Sequence, residues 1–394
     1  MAKTVALTGN SACAQAMRQI NPDVVAAYPI TPQTTIVEEF STFVAKGLVD
    51  TEYVTVESEH SAMSACVGAS AAGSRVITTT SSQGLALMWE VLYIASSLRL
   101  PIVMHNVNRT LSGPINIHCD HQDSMGARDS GWIQIFCEDA QEAYDTTIQA
   151  IRIAEDNRVR LPVMICFDGF IISHAIDRLD LLEDDEVKKF VGEFEPAISL
   201  LDPEKPVTVG PFDGLYGYFF EFRRAQELAT LGSLPVIAEI GKEFGEMSGR
   251  PYGLFEAYKL DDAELAIVVL GSTAGTTKAV VDDLRAQGVA AGMLKIRSYR
   301  PFPAKEIAEA LSGVKAIAAM DRSLAPGAIG SPIFQEIRSA LYDQNARIPV
   351  INYIYGLGGR DVPPAHIAKV YADLAEIVKT GEVKQTINYL GLKD

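Results

Sequence analysis

The stretch that decides the fold is residues 24–34, Val24-Val25-Ala26-Ala27-Tyr28-Pro29-Ile30-Thr31-Pro32-Gln33-Thr34, an apolar strand that runs through two prolines into a helical pattern. A second unit of this kind follows, with a strand pattern over residues 53–56 and a helix of small residues over 58–72. Short apolar runs and amphipathic stretches alternate in this way as far as residue 167. Apolar strands that alternate with helices predict a doubly wound parallel sheet with helices on both faces. We therefore predict an α/β fold.

The pattern divides the chain into three parts. The strand–helix alternation fills residues 1–179 and returns in a shorter form over residues 263–394, which predicts two α/β domains. Residues 180–262 are first strongly charged and then rich in proline and aromatic residues, with a helical pattern near residues 221–231. Because their apolar content is too high for a disordered segment, we predict a structured connector.

The composition excludes several classes of function. The 394 residues carry a formal net charge of −16, and such an acidic surface argues against binding to nucleic acid or to anionic membranes. No two of the five cysteines are spaced as Cys-x-x-Cys, which argues against iron–sulfur ligation and zinc ribbons within this sequence. We find neither a signal peptide nor an apolar run of the roughly 18 residues that a membrane span needs. We therefore expect a cytoplasmic protein.

The loop after residues 24–27 is the first candidate for a ligand site, because open α/β sheets bind ligands beyond the carboxyl ends of their strands. Two prolines fix its backbone, and the loop ends in the hydroxyl groups of Thr31 and Thr34. The same pattern is typical of a rigid strand-to-helix turn in which Thr34 caps the helix. The spacing alone favours the rigid turn.

The loop after residues 53–56 reads Glu57-Ser58-Glu59-His60 and opens a helix. Acidic residues in a first helical turn interact favourably with the helix macrodipole, and this structural role is the commoner one. The alternative is that Glu59 points into a buried cleft, where its carboxyl group shares a proton with a heterocyclic nitrogen. The sequence pattern leaves both interpretations open.

The loop after residues 101–106 carries Arg109. A guanidinium group offers two parallel donors and suits the binding of a carboxylate. The alternative is a surface salt bridge, which the pattern predicts equally well.

Three further motifs give weaker evidence for a functional site. Residues 117–123, Ile-His-Cys-Asp-His-Gln-Asp, are dense in metal-ligand types, but no second cluster supplies the missing ligands, so we predict a polar loop and no metal. Residues 271–277 follow a strand and form either an anion-binding helix start or a tight turn with a capped helix. Residues 356–361 lack the third glycine of a dinucleotide fingerprint, which disfavours a nicotinamide fold. Neither a P-loop nor a Gly-x-Ser-x-Gly elbow is present.

Taken together, these loops resemble the α subunits of the multi-subunit pyruvate:ferredoxin oxidoreductases, or pyruvate synthases, within the 2-oxoacid:ferredoxin oxidoreductase family. The resemblance covers essentially the whole chain, and its motifs are specific only in combination. The matching stretches are Leu7-Thr8-Gly9-Asn10, Tyr28 to Thr34, Glu57-Ser58-Glu59-His60, Thr80-Ser81-Ser82-Gln83-Gly84-Leu85, Asn108-Arg109 with Ser112-Gly113-Pro114, Asp120-His121-Gln122-Asp123, Asp168-Gly169-Phe170 with Ser173-His174, Ser298-Tyr299-Arg300-Pro301-Phe302-Pro303 and Met320-Asp321-Arg322.

The resemblance implies a pyrimidine-type thiamine-diphosphate-binding domain, followed by a domain like the C-terminal domain of transketolase. It implies that Glu59 activates the cofactor through the pyrimidine nitrogen, and that Thr31 and Arg109 hold the carboxylate of a 2-oxoacid. It also implies that the cofactor is contacted by Pro29, Ile30, Ser82 and Gln83.

The resemblance further implies that this chain acts as one subunit of a larger enzyme. The sequence has no Gly-Asp-Gly triplet, with which the diphosphate–Mg²⁺ motif of thiamine enzymes begins. The diphosphate, Mg²⁺ and 4Fe–4S clusters are therefore expected on partner chains, namely a β subunit, a γ subunit and an iron–sulfur δ-type subunit. An acidic ferredoxin would dock on a local basic patch or on another subunit.

The implied reaction is the reversible oxidative decarboxylation of pyruvate with coenzyme A, which gives acetyl-CoA, CO₂ and electrons for ferredoxin. Three alternatives remain open at this point. The substrate can be another 2-oxoacid, such as 2-oxoisovalerate or 2-oxoglutarate. The chain can instead be a thiamine-dependent dehydrogenase component that serves lipoamide, or a non-catalytic module with a degenerate thiamine fold.

Overall fold

The first α/β unit is built on a seven-stranded sheet with the strand order β12-β6-β7-β5-β4-β2-β3. The computed structural model describes residues 3–210 and 212–393, and strands and helices are numbered along the chain. The strands of this sheet are β2 (Val24–Ala27), β3 (Glu52–Thr55), β4 (Val76–Thr80), β5 (Ile102–Asn108), β6 (Ile133–Phe136), β7 (Val163–Asp168) and β12 (Ser298–Arg300). All pair in parallel except β12, which runs antiparallel to β6.

The central strands of this sheet are buried along their whole length. Every residue of β4, β5 and β7 is buried, because helices cover both faces of the sheet. The surrounding helices are α1 (Gly9–Ile20), α2 (Thr34–Ala45), α3 (Glu59–Ala71), α4 (Ser82–Leu87), α5 (Trp89–Ser97), α6 (Gln122–Gly126) and α7 (Ala140–Glu155). The predicted doubly wound α/β fold is confirmed. Its carboxyl edge brings together the loops after β2, β3, β4 and β5.

A second, six-stranded sheet has the order β15-β14-β13-β10-β11-β9. Its strands are β9 (Phe255–Tyr258), β10 (Leu265–Val269), β11 (Ala291–Ile296), β13 (Ala316–Asp321), β14 (Val350–Tyr355) and β15 (Ile387–Leu390). The helices that pack on it are α10 (Thr273–Ala286), α11 (Ala304–Ala310), α12 (Pro332–Asp343) and α13 (Pro364–Thr380). Only β9 is antiparallel to its neighbour, β11.

The segment between the two sheets is structured. It contains strand β8 (Ile176–Leu181), which pairs antiparallel with β1 (Lys3–Thr8), and helices α8 (Asp184–Val191) and α9 (Phe219–Ser248). Helix α9 has 30 residues and continues through Pro235, although the sequence pattern predicted only its first part. Its buried side chains, including Ile237 and Phe244, pack into the core of the first unit, which stabilises a helix that proline alone would interrupt.

One hydrophobic cluster contains residues of both α/β units. Trp132 and Phe136 pack in the same cluster as Tyr299 and Leu270. Two strands also cross the predicted division, since β9 joins the second sheet from the connector and β12 joins the first sheet from the last segment. The division at residues 179/180 and 262/263 stays a prediction. None of the helices in residues 3–210 and 212–393 combines the length and apolar character needed to cross a bilayer.

Candidate active site

Four strand ends deliver the candidate residues to one edge of the first sheet. Thr31 follows β2, Glu59 begins α3 after β3, Ser82 begins α4 after β4, and Arg109 follows β5 directly. Because β2, β3, β4 and β5 are parallel neighbours, their carboxyl ends lie side by side. The predicted ligand-binding loops therefore lie at the same edge of the sheet.

Glu59 is buried at the start of α3. The preceding Ser58 caps the helix, its hydroxyl accepting a hydrogen bond from the backbone N–H of Ser61 at 3.2 Å. The side chain of Glu59 is only 6 % exposed, whereas Glu57 is exposed and bonded to the Ser61 hydroxyl at 2.5 Å. Within the described ranges no hydrogen bond or ion pair reaches the Glu59 carboxylate. Glu59 thus differs from Glu57, which is a helix-end acid exposed to water.

Gly84 packs directly against the Glu59 carboxylate. A Cβ atom added at Gly84 would lie 2.7 Å from Oε1 of Glu59 and 2.5 Å from Oγ1 of Thr80. The Thr80 hydroxyl is itself buried and has no hydrogen-bond partner among the described residues. The buried Glu59 carboxylate and the buried Thr80 hydroxyl therefore both lie close to Gly84, and a side chain at position 84 would overlap both.

Arg109 reaches across the cleft edge to the first loop. Its Nη1 donates to the backbone carbonyl of Thr31 at 2.9 Å, and its Nε donates to the carbonyl of Asn116 at 3.3 Å. In the described part of the chain Nη2 has no partner. The residue is only 6 % exposed, and no carboxylate lies within ion-pairing distance in residues 3–210 and 212–393, so the alternative of a surface salt bridge is wrong. Burial lowers the pKa of Arg109, and the nearby Asp123 opposes this shift.

The turn of residues 28–33 is held by its own backbone and by Gln33. The N–H of Gln33 donates to the carbonyl of Ile30 at 2.8 Å, and its Nε2 donates to the carbonyl of Tyr28 at 2.7 Å. Gln33, and not Thr34, occupies the N-cap position of α2, and it makes no side-chain cap bond there. The predicted Thr34 cap is wrong because Thr34 already lies inside the helix. Pro29 is exposed at the tip of this turn, next to the partly buried Ile30.

Asp123 connects the carboxyl ends of β4 and β5. Its Oδ2 accepts from the backbone N–H of Ser82 and of Arg109, each at 3.1 Å, and its Oδ1 accepts from Nδ2 of Asn108 at 2.8 Å. Burial raises the pKa of Asp123, while these hydrogen bonds act in the opposite direction. The neighbouring Gln83 donates from Nε2 to the hydroxyl of Ser112 at 2.6 Å.

Asp168, at the end of β7, joins the two sheets. Its Oδ1 lies 2.7 Å from Nε2 of His121, and its Oδ2 accepts from Nη1 of Arg322 at 2.7 Å and from the N–H and hydroxyl of Ser272. Burial acts to raise the pKa of Asp168, but His121 and Arg322 hold it below its usual range. The sequence pattern of residues 271–277 was compatible with an anion-binding helix start. In the structure the group bound at this helix start is the Asp168 carboxylate of the same chain.

The metal-ligand types of residues 117–123 meet this same carboxylate. Cys119, His121 and Asp168 bring one ligand atom each within 4.8 Å of one another, and all three are buried. Arg322 already occupies Oδ2 of Asp168 with a positive charge, so a metal cation there would be repelled. Burial also raises the pKa of the Cys119 thiol, which disfavours the thiolate that a metal would need. The ion pair of Arg322 with Asp168 supports the prediction of a polar loop without metal, which stays a prediction.

The structure brings some of the predicted residues together and leaves others apart. Thr31 and Arg109 are bonded, and Ser82 is linked to Arg109 through Asp123. Glu59 makes no hydrogen bond to any of these in the described ranges. Sequence reasoning assigned no role to Gly84, Asn116 or Asp123. Gly84 and Asp123 lie in stretches that carry the family resemblance, and Asp123 also lies in the polar loop of residues 117–123, whereas Asn116 had no signal.

Comparisons with known proteins match nearly the whole chain. Residues 15–238 match the family model of the pyruvate flavodoxin/ferredoxin oxidoreductase thiamine-diphosphate-binding domain, and residues 263–367 match that of core domain II of pyruvate:ferredoxin oxidoreductase. The pyruvate synthase subunit PorA of Thermotoga maritima is 55 % identical over 99 % of this chain and 98 % of its own length. PorA of Methanocaldococcus jannaschii is 48 % identical over 92 % of each chain. The ketoisovalerate oxidoreductase subunit VorA of Pyrococcus abyssi is 42 % identical over 98 % of this chain and 97 % of its own length.

A solved structure shows the same fold. The 2-oxoglutarate:ferredoxin oxidoreductase of Magnetococcus marinus superposes with a TM-score of 0.73 at 19 % identity, over 94 % of this chain. The matched region is 65 % of that longer chain.

Proposed function

The chain belongs to the pyruvate:ferredoxin oxidoreductase family, whose members include the pyruvate synthase PorA subunits, and we propose that it acts as the α subunit of such an enzyme. The proposed reaction is the reversible oxidative decarboxylation of pyruvate with coenzyme A to acetyl-CoA and CO₂, with electrons passed to ferredoxin. The observation that carries the proposal is that one sheet edge presents both a buried Glu59 carboxylate, without a hydrogen-bond partner among the described residues, and a buried Arg109 guanidinium bonded to the Thr31 carbonyl.

The residues of the cleft fit the pyrimidine side of thiamine diphosphate. Glu59 has no hydrogen-bond partner among the described residues, and Gly84 contributes no side chain beside it. A buried carboxyl group in this position can hold a proton at a ring nitrogen of the pyrimidine, and the low dielectric strengthens that bond. When bound, the cofactor supplies the carbanion stabilisation that decarboxylation of a 2-oxoacid requires. Pro29, Ile30, Ser82 and Gln83 are proposed to contact it.

Arg109 and Thr31 are proposed to hold the carboxylate of the 2-oxoacid. Nη2 of Arg109 is without a partner in the part of the chain described, so it can donate a charge-assisted hydrogen bond. The hydroxyl of Thr31, an exposed residue, can add a neutral one. Because Nη1 of Arg109 is already bonded to the Thr31 carbonyl, the guanidinium is held in place before substrate arrives, and less entropy is lost on binding.

The missing half of the site is proposed to come from partner subunits. The sequence has no Gly-Asp-Gly triplet and no Cys-x-x-Cys pair. A β subunit would therefore supply the diphosphate and Mg²⁺ side, and 4Fe–4S clusters on a δ-type subunit would carry electrons to ferredoxin, with a γ subunit completing the complex. We propose a cytoplasmic complex, and the charge of −16 argues against its binding to nucleic acid or to anionic membranes.

A second candidate is the same chemistry on another 2-oxoacid. The VorA relative, named for ketoisovalerate, is 42 % identical over nearly the same length as the PorA relatives. Initial rates of the assembled complex on pyruvate, 2-oxoisovalerate and 2-oxoglutarate would separate the two. A catalytic efficiency highest for pyruvate is expected, and a preference for a branched acid would overturn the pyruvate assignment.

The role of Glu59 is tested by Glu59→Gln, with Glu57→Gln as the matched control. The substituted amide would keep the shape of the side chain but could not share a proton with the ring nitrogen, and loss of such a group typically costs about 10²–10⁴-fold in rate. We expect Glu59→Gln complexes to assemble and to decarboxylate pyruvate at a strongly reduced rate. Glu57 is exposed, so its variant should behave like the wild type. Equal rates for the two variants would refute the assignment.

A further inference from the structure

The glycine-rich turn of the second sheet lies against the loop that carries Arg109. The backbone N–H of Gly359 donates to the carbonyl of Cys119 at 2.8 Å, and the carbonyl of Gly358 accepts from Nδ2 of Asn116 at 3.2 Å. Residues 356–361, which lack the third glycine of a dinucleotide-binding fingerprint, thus bind a neighbouring loop of the same chain.

This contact requires glycine. Gly358 has a φ of +64°, which side chains rarely adopt, and a Cβ there would lie 2.7 Å from Nδ2 of Asn116. Gly359 also has a positive φ, and a Cβ there would overlap the side chain of His118. The absence of side chains on the turn lets the loop approach its backbone.

Asn116 is fixed at both ends. Its side-chain Oδ1 accepts from the backbone N–H of His118 at 2.8 Å, while its Nδ2 is held by Gly358. Its backbone carbonyl then accepts from Nε of Arg109 at 3.3 Å and from the hydroxyl of Thr110 at 2.8 Å. The orientation of the guanidinium plane therefore depends on where Asn116 lies.

We propose that Asn116 is a positioning residue for the 2-oxoacid, and that the turn of residues 356–359 sets its place. By this route the second sheet contributes to substrate binding without touching the substrate. Nη1 of Arg109 is held by Thr31 and Nε by Asn116, which leaves Nη2 aimed in one direction. The inference rests on the proposed role of Arg109.

The first test is Asn116→Ala in the assembled complex. It removes both side-chain anchors and leaves the backbone carbonyl, so the guanidinium stays charged but is less well held. Losing one such hydrogen bond corresponds to roughly a threefold to tenfold weaker interaction. We expect the KM for pyruvate to rise by that factor, while the KM for coenzyme A and the thiamine diphosphate content stay at wild-type values. An unchanged KM for pyruvate, or an equal rise for both substrates, overturns the inference.

The second test uses Gly358→Ala, with Gly381→Ala as the matched control. Both glycines have a positive φ, of +64° and +72°, but a Cβ at Gly381 meets nothing within 4 Å. The backbone strain is therefore alike, and only Gly358→Ala pushes on Asn116. A raised KM for pyruvate in Gly358→Ala alone supports the inference even if Asn116→Ala fails to assemble, and equal KM values overturn it.

The double variant shows whether the two residues act through one contact. If they do, Asn116→Ala combined with Gly358→Ala should raise the KM no further than the larger single effect, and multiplicative effects overturn the inference. Arg109→Lys, measured in parallel, separates the two hypotheses. If Arg109→Lys leaves the KM for pyruvate unchanged, the proposed function of Arg109 fails; if it raises the KM while Asn116→Ala does not, only the positioning role fails.

Discussion

The Nη1 atom of Arg109 donates a hydrogen bond to the backbone carbonyl of Thr31 over 2.9 Å, so residues 78 positions apart in sequence form one unit at the cleft edge. The bond joins the loop after β2 to the end of β5, although β4 lies between these strands in the sheet. It fixes the guanidinium against the backbone of the turn and leaves the Thr31 side chain free to act separately.

Arg109→Lys should lower catalytic efficiency for the 2-oxoacid. Lysine keeps the charge but lacks the planar fork, so it cannot bond the Thr31 carbonyl and a carboxylate in the same geometry. Losing one charge-assisted hydrogen bond of about 1.5–3 kcal/mol predicts a fall of roughly tenfold to a hundredfold in kcat/KM. Steady-state rates with pyruvate check this, with the exposed Arg338→Lys on α12 as control. Similar efficiencies for the two variants would contradict a substrate role for Arg109.

Gly84→Ala should weaken cofactor binding by displacing the Glu59 carboxylate. A helical Gly→Ala change normally stabilises a helix by up to about 1 kcal/mol, but here the new Cβ would lie 2.7 Å from Oε1 of Glu59. The Glu59 carboxylate must shift, so we expect a raised Kd for thiamine diphosphate, measured by reconstitution of the apo complex. Gly126→Ala in α6 is the control, because its Cβ meets only Trp89, at 3.8 Å. Equal affinities would show that Glu59 tolerates displacement.

The sequence predicted the sheet and the strand-end loops because both leave local patterns. The apolar runs of β4, β5 and β7 predict buried strands, and the parallel order of these strands places the loops that follow them at one edge of the sheet. The role of Asn116 could not be predicted from the sequence, because its partner Gly358 is 242 positions away. Strand β12 was missed for a similar reason. It has three residues, too few for a periodic signal, and it forms only through pairing with β6.

The connector of residues 180–262 exposes an aromatic surface that we expect another subunit of the complex to cover. Seven side chains within residues 212–222 are between 61 % and 98 % exposed: Phe212, Leu215, Tyr216, Tyr218, Phe219, Phe220 and Phe222. Contiguous apolar patches of this kind mark protein–protein contacts, and the PorA relatives are named as subunits.

Phe212→Ser combined with Phe220→Ser should therefore weaken assembly, because the partner would lose two aromatic side chains that fill its surface. Native mass spectrometry of the co-expressed complex at decreasing concentration would measure this. Leu392→Ser is the control, since Leu392 is also exposed, at 76 %, but lies near the end of the chain. A doubly substituted complex that stays intact at the same dilution as the wild type would show that this surface is not an interface.

Asp321 should make stability fall as pH rises towards neutrality. Burial raises its pKa to about 7, although the N–H groups of Ile333 and Phe334 and Nδ2 of Asn352 favour its ionised form. Between about pH 4 and 7 the folded state thus keeps a proton that the unfolded state releases, and stability decreases through this window. Asp321→Asn cannot ionise, so the urea midpoint of the wild-type complex should fall relative to that of the variant as the pH rises from about 4 to 7. Asp343→Asn, at the exposed end of α12, controls for the change of charge. Parallel midpoints for wild type and Asp321→Asn across that range would mean that Asp321 stays ionised in the folded protein, with the N–H groups at the start of α12 outweighing its burial.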